Sequence, residues 1–241
     1  MAANSRREEQ KPETIHSALV IDTNSTDGIT QPAILHREIH LYPYLESNGL
    51  RLERLQGANA SRDAVAAVVS RADIVFVTGV GHGAPGAFPQ NPDAEDHIPI
   101  FETGRYNHEE VEGKIFHLLS FHTGSELGPD LIQHGCRAFF GYEREFSFLL
   151  NDESLFFDCD AEISRAFADG LTAGEVYQRV IAKYNRHIAE LQQSGDDYTS
   201  AILQFNRDSL CAPAKDPKWG DPDAKLHTAT ILSDQDFPRK D

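Results

Sequence analysis

The sequence predicts an α/β protein: a three-layer α/β/α sandwich around a mostly parallel sheet of roughly six strands. Three observations carry that reading. Short apolar runs such as DIVFVTGV (73–80) are rich in β-branched residues and lack polar alternation, as strands buried on both faces require. Segments of helical period separate them. Repeated strand–helix–strand order means right-handed crossovers and a sheet covered by helices.

Each element has its own signal. SALVID (17–22) is a short apolar run expected as a central strand. From Ile34 to Asn48 the apolar residues Ile34, Leu35, Ile39, Tyr42 and Leu45 fall at helical spacing, with Gly49 as a stop. Pro43 inside that segment predicts a kink or a break, because it removes an N–H and crowds the preceding turn. LRLERL (50–55) alternates as a strand with one wet face. Asn59-Ala-Ser-Arg-Asp (59–63) is expected to cap a helix whose Val65, Val68 and Val69 share one side. IFHLLS (115–120) and CRAFFGY (136–142) read as two more buried strands, with a short helix between them ending at Gly135. The last third reads as helices over 152–169, 172–193 and DDYTSAILQFNRDSL (196–210), then a strand KLHTATIL (225–232). On the second of these helices, Val176, Val180, Tyr184, Ile188 and Leu191 form a stripe expected to pack into the core.

The chain of 241 residues is expected to hold one domain, 15–232, between charged tails 1–14 and 233–241. Its hydrophobic fraction of 40% supports a core of that size. A formal net charge of −16 opposes binding to nucleic acid or anionic lipid, since both need a basic surface. The three cysteines, Cys136, Cys159 and Cys211, form no CxxC pair and leave an odd count, which fits a reducing compartment. With no apolar run of membrane-spanning length and no secretory leader pattern, the expected location is the cytoplasm.

Ligands of open parallel sheets gather outside the carboxyl ends of the strands. Two such ends stand out. In VTGVGHGAPGAF, glycines 79, 81 and 83 surround His82, and the long polar loop QNPDAEDHIPIFETGRYNHEE follows. On residue type alone, His82 is either a functional base or a loop histidine without a role. In LLSFHTGS, a strand turns into a helix whose N-terminus would favour negative charge. A nucleophile at that turn, beside a histidine from the neighbouring strand, would make a Cys–His or Ser–His pair.

These segments resemble the caspase, legumain and gingipain group of cysteine peptidases (clan CD). ALVID, ADIVFVTGVGHG, HLLSFHTGSELG and GCRAFFGY recur in the expected order, and WGDPDAKL (219–226) resembles the Gly-Asp-Pro closing segment of gingipain-like domains. The resemblance spans about residues 17–231 and implies a caspase-like sandwich without a cofactor. It puts the catalytic histidine at His82, an oxyanion-holding amide at Gly83 and the nucleophile at position 121, after the small residue Ser120. It also puts Ser120, Tyr142 and Glu143 by the substrate, where Glu143 and Glu145 would read a basic side chain; surface solvation is the other reading of that pair. Partners would be a peptide segment or a partner protein, and a homodimer is compatible with the family.

Position 121, however, holds phenylalanine. A phenyl ring has no lone pair with which to attack a carbonyl. Losing the nucleophile in other hydrolases costs on the order of 10⁶ in kcat, or roughly 8 kcal/mol of transition-state stabilisation. The expectation is therefore a pseudopeptidase that retains a cleft and His82 and binds without cutting. Two alternatives stand beside it. One is an active cysteine peptidase whose nucleophile is lost in this variant or lies elsewhere, with Ser120, Cys136, Cys159 and Cys211 as the candidates; Cys159 and Cys211 are expected in helices, away from any glycine turn. The other is a metal-dependent hydrolase using His82, His117 and His122 with Asp96 or His97. A nucleotide site is not expected, because neither GxGxxG nor a phosphate-loop lysine follows the strand. Glu109, Glu110 and Glu112 are expected as a solvated helical turn.

Overall fold

The computed structural model describes residues 16–23, 28–89 and 98–226. Strand β1 (Ser17–Asp22) is buried along its whole length. Helices α1 (Thr30–His40) and α2 (Tyr42–Ser47) follow, separated at Leu41. The break anticipated from Pro43 falls just before it, and the proline sits in the first turn of α2, where its missing N–H costs nothing. Strand β2 (Arg51–Gln56) is the half-exposed edge its alternation implies. Helix α3 (Arg62–Val69) is capped by Ser61, whose Oγ accepts from Ala64 N at 3.3 Å. Ser61 lies within the stretch 59–63 expected to cap the helix, and Asn59 at its start closes a 3-10 turn over Gly57–Asn59.

Strand β3 (Ile74–Val80) leads into a short antiparallel ribbon, β4 (Ala87–Phe88) with β5 (Phe101–Glu102), in a stretch the sequence reads as loop. Phe88, Ile100 and Phe101 anchor that ribbon in the core. Then come β6 (Ile115–Leu119), α4 (Leu127–Gln133), β7 (Ala138–Tyr142), α5 (Glu153–Ala168), α6 (Ala173–Ser194) and α7 (Asp197–Ser209). The last strand is β8 (Leu210–Cys211), not KLHTATIL, of which residues 227–232 lie outside the described residues, as do both expected tails. Cys211 is therefore a strand residue and not a helical one.

The six-stranded sheet has the order β2-β1-β3-β6-β7-β8. All neighbours run parallel except β7 and β8. Period-2 alternation splits the core. Ala18, Val20, Phe76, Leu119 and Phe140 face α1, α2, α5 and α6, together with the stripe Val176, Val180, Tyr184 and Ile188. Leu19, Ile21, Val77, Phe116, Leu118 and Phe139 face α3 and α4 on the other side. The chain is thus an α/β fold with helices on both faces of a mostly parallel sheet.

Within the first of these layers lies a buried polar network. Arg37 Nη2 donates to Asp160 Oδ2 at 3.0 Å, and its Nη1 to Thr78 Oγ1 at 3.0 Å. His117 bridges Ser164 Oγ at 2.7 Å and Asp160 Oδ1 at 3.0 Å, and Tyr142 OH donates to Asp160 Oδ1 at 3.1 Å. Burial opposes the charge on Asp160, yet His117 and Arg37 outweigh it and hold the carboxyl below the usual range. Burial also lowers the pKa of His117, only partly countered by Asp160.

Candidate functional site

The ends of β3 and β6 lie side by side, because Val80 pairs with Leu119 in the parallel ladder. Gly81 N extends that pairing by donating to Leu119 O at 3.2 Å. One residue on, the two chains lock together: Ser120 Oγ donates to the His82 carbonyl at 2.8 Å. Gly83 closes against the other strand so tightly that a Cβ there would stand 2.0 Å from Phe121 O and 2.7 Å from Phe121 N. No side chain fits. His82 and Phe121 consequently face each other, with ring centroids 5.9 Å apart and planes at 73°. That edge-to-face geometry is one aromatic rings favour.

Beyond Phe121 the chain turns through His122, the one non-glycine with positive φ (61°) among the described residues. Its Nδ1 lies 3.2 Å from Glu143 O, and its Nε2 3.7 Å from Glu145. Gly124 is held from two directions. Its N–H donates to Tyr142 O at 3.0 Å, and its carbonyl accepts from the buried Trp219 indole at 2.9 Å. Helix α4 then begins, but the Glu126 and Leu127 amides donate to Pro85 O at 3.2 and 2.8 Å. The helix end therefore ties down the loop after β3. It does not present the anion-holding amides expected from the strand-to-helix turn.

Several expected site residues take other positions. Tyr142 is fully buried, its side chain committed to Asp160 and Tyr184, so only its carbonyl belongs to the site. Ser120 is buried and spends its hydroxyl on the His82 carbonyl, which makes it a brace and no surrogate nucleophile. Glu143 is partly exposed and pairs with Lys218 at 3.1 Å. His117 sits within the core with both ring nitrogens engaged, so it cannot join His82 and His122 around a metal. Among the described residues no group of three or more His, Cys, Asp or Glu side chains is placed to hold one; Asp96 and His97 lie outside them. Glu110, expected to be solvated, is fully buried and accepts from Arg62 Nη1 and Nη2 at 2.7 and 2.8 Å.

The thiols offer no ready nucleophile. Cys136 lies before β7, at the far end of the sheet, and burial pushes its thiol up to about 12. Cys159 is buried in α5 and is pushed up to about 12 as well. Cys211 does lie against a glycine turn, contrary to expectation: a Cβ on Gly124 would stand 2.2 Å from its Sγ. Burial raises its thiol too. Trp219, at the head of the closing segment WGDPDAKL, reaches the turn after β6, a contact that the resemblance did not assign to it. Its hold on Gly124 crosses 95 residues of sequence and leaves no local pattern.

Phe121 also lines a small apolar hollow of about 20 Å³ beside the strand ends, together with Ala33, Val80, Phe146 and Phe157. Compared with known protein families and curated proteins, the chain matches no family model and no curated sequence.

Proposed function

We propose that the protein is a catalytically inactive relative of the caspase/gingipain-like cysteine peptidases, which binds a peptide segment or partner protein at the ends of β3 and β6. The observation that carries this reading is the contact between His82 and Phe121. Two positions that the resemblance assigns to base and nucleophile come from separate strands, and their rings meet at 5.9 Å. The constraint at Gly83 supports the same reading, since only a glycine lets the two backbones close. A hydrocarbon ring supplies no attacking electron pair, so the pair would recognise and not cleave.

The three cysteines are all free and buried, which fits work in the cytoplasm. Among the described residues no helix is long and apolar enough to cross a membrane. The acidic charge disfavours nucleic acid as partner. The proposal holds whether or not two copies associate.

Replacing Phe121 by cysteine tests it. The thiol would then stand beside the His82 imidazole. We expect faster alkylation of Phe121→Cys by iodoacetamide than of free cysteine at pH 7, with the excess rate abolished by His82→Ala. Unfolded casein incubated with the unaltered protein should remain intact. Cleavage of casein by the unaltered protein, lost in His82→Ala, would overturn the inactive reading.

A further inference from the structure

Beside the core stripe of α6 runs a second stripe, Tyr177, Ile181 and Asn185, at four-residue spacing and therefore on one face. Tyr177 and Ile181 are half-buried, and Asn185 is exposed. With Arg207 and Asp208 at the end of α7 and Lys215 after β8, they line an open hollow of about 400 Å³. That volume lies within the roughly 300–1,000 Å³ of small-molecule sites. Tyr177 and Ile181 supply its hydrocarbon, and the other four residues its polar groups.

The polar side is held in place by the fold itself. Arg207 Nη1 donates to Asn185 Oδ1 at 2.8 Å and its Nε to Asp208 Oδ1 at 2.9 Å, with Nη2 2.8 Å from the same oxygen. Lys215 Nζ donates to the Asp208 and Leu210 carbonyls at 2.7 and 2.8 Å. Both cationic heads are therefore fixed, and a ligand has little side-chain freedom left to remove. What the two heads keep in reserve is donors. Among the described residues, Arg207 retains at least one N–H on Nη1 without an oxygen partner, and Lys215 retains one on Nζ. The single carboxylate of the wall, Asp208, already faces Arg207. Two cations thus meet one anion here, on a chain of net charge −16.

We propose that this hollow is a binding site for a small organic carboxylate. Its anionic head takes the unused N–H groups of Arg207 and Lys215, and its hydrocarbon lies against Tyr177 and Ile181. Spare donors beside apolar surface match an acceptor carried on an apolar body, and the planar guanidinium suits the planar carboxylate. None of the lining residues comes from the ends of β3 and β6, so the site is separate from the peptide-binding reading and does not depend on it.

4-Phenylbutyrate is the probe, titrated into the full chain and followed by the NMR signals of backbone amides and arginine side chains. Saturable shifts should centre on residues 177–185 and 207–215 and include the Arg207 side chain. The neutral analogue 4-phenylbutan-1-ol should bind at least about tenfold more weakly, because it forfeits the charge-assisted hydrogen bonds. Arg207→Gln should weaken the acid by a similar factor and leave the alcohol unchanged. Asn185→Trp, at an exposed position where folding is little at risk, puts an indole into the hollow and should remove binding of both. The proposal is overturned by the absence of saturable shifts in this wall up to about 10 mM acid. Equal affinity for acid and alcohol, or an affinity for the acid untouched by both variants, overturns it as well.

Discussion

At Gly83 a single hydrogen atom in place of a side chain decides whether β3 and β6 can meet. A Cβ would intrude to 2.0 Å on a backbone oxygen, which has no freedom to rotate away. Gly83→Ala should therefore destabilise the protein by about 1–3 kcal/mol in urea unfolding, as overpacking does, and should slow the alkylation of Phe121→Cys when the two changes are combined. His122 presents the opposite case. It holds φ at 61°, a conformation costing an L-residue about 1–2 kcal/mol. His122→Gly should be neutral or stabilising within about 1 kcal/mol, and His122→Val clearly destabilising, by the same measurement. The identity of both residues is visible in the sequence. The reasons for them are not, because each reason lies in a backbone contact or dihedral.

Among the elements, the closing segment around Trp219 governs the turn after β6. The indole donates to Gly124 O, and Gly220, with φ at 115°, lets the chain pair with Ala138. Asp221 N continues this latch to Arg137 O at 2.8 Å. Trp219→Phe removes the hydrogen bond but keeps most of the packing, and should cost about 1 kcal/mol. Trp219→Ala should cost about 3–5 kcal/mol. Chemical denaturation separates the two. Most elements are legible in the sequence, since β1, β3, β6 and β7 carry continuous apolar runs and α6 carries a clean stripe. Those that are not, β4, β5 and β8, are two residues long and held by partners distant in sequence.

Across the whole molecule, the Arg37–Asp160–His117 network ties α1, α5 and the middle of the sheet together inside the core. Its pH dependence follows from the direction of each shift. The folded pKa of His117 is below 6.5, so under about pH 6.5 the unfolded chain binds the extra proton and stability falls. Asp160, held below 3.8, adds stability above that value, which is lost as pH drops through its folded pKa. Asp22, raised by burial, acts with the opposite sign above pH 3.8. His36, lowered to about 4 by burial and by His40, acts in the same sense as His117. Comparison with His117→Gln isolates the buried histidine. As pH falls below about 6.5 the unaltered protein should lose more stability than the variant, read from urea midpoints. Asp160→Asn, which strands Arg37, should cost about 3–5 kcal/mol at pH 7.

The order of residues alone establishes the layering, the succession of the main strands and the glycine-rich turns that follow β3 and β6. Hydrophobic period and glycine placement are local, and local patterns survive in one dimension. Which groups those turns bring together is settled in the folded chain. Folding turns Phe121 toward His82 and a small apolar hollow, commits Tyr142 and His117 to the core, and joins Trp219 to a turn 95 residues away. Such pairings depend on how helices and sheet pack in three dimensions, and a residue's type does not announce its distant neighbour.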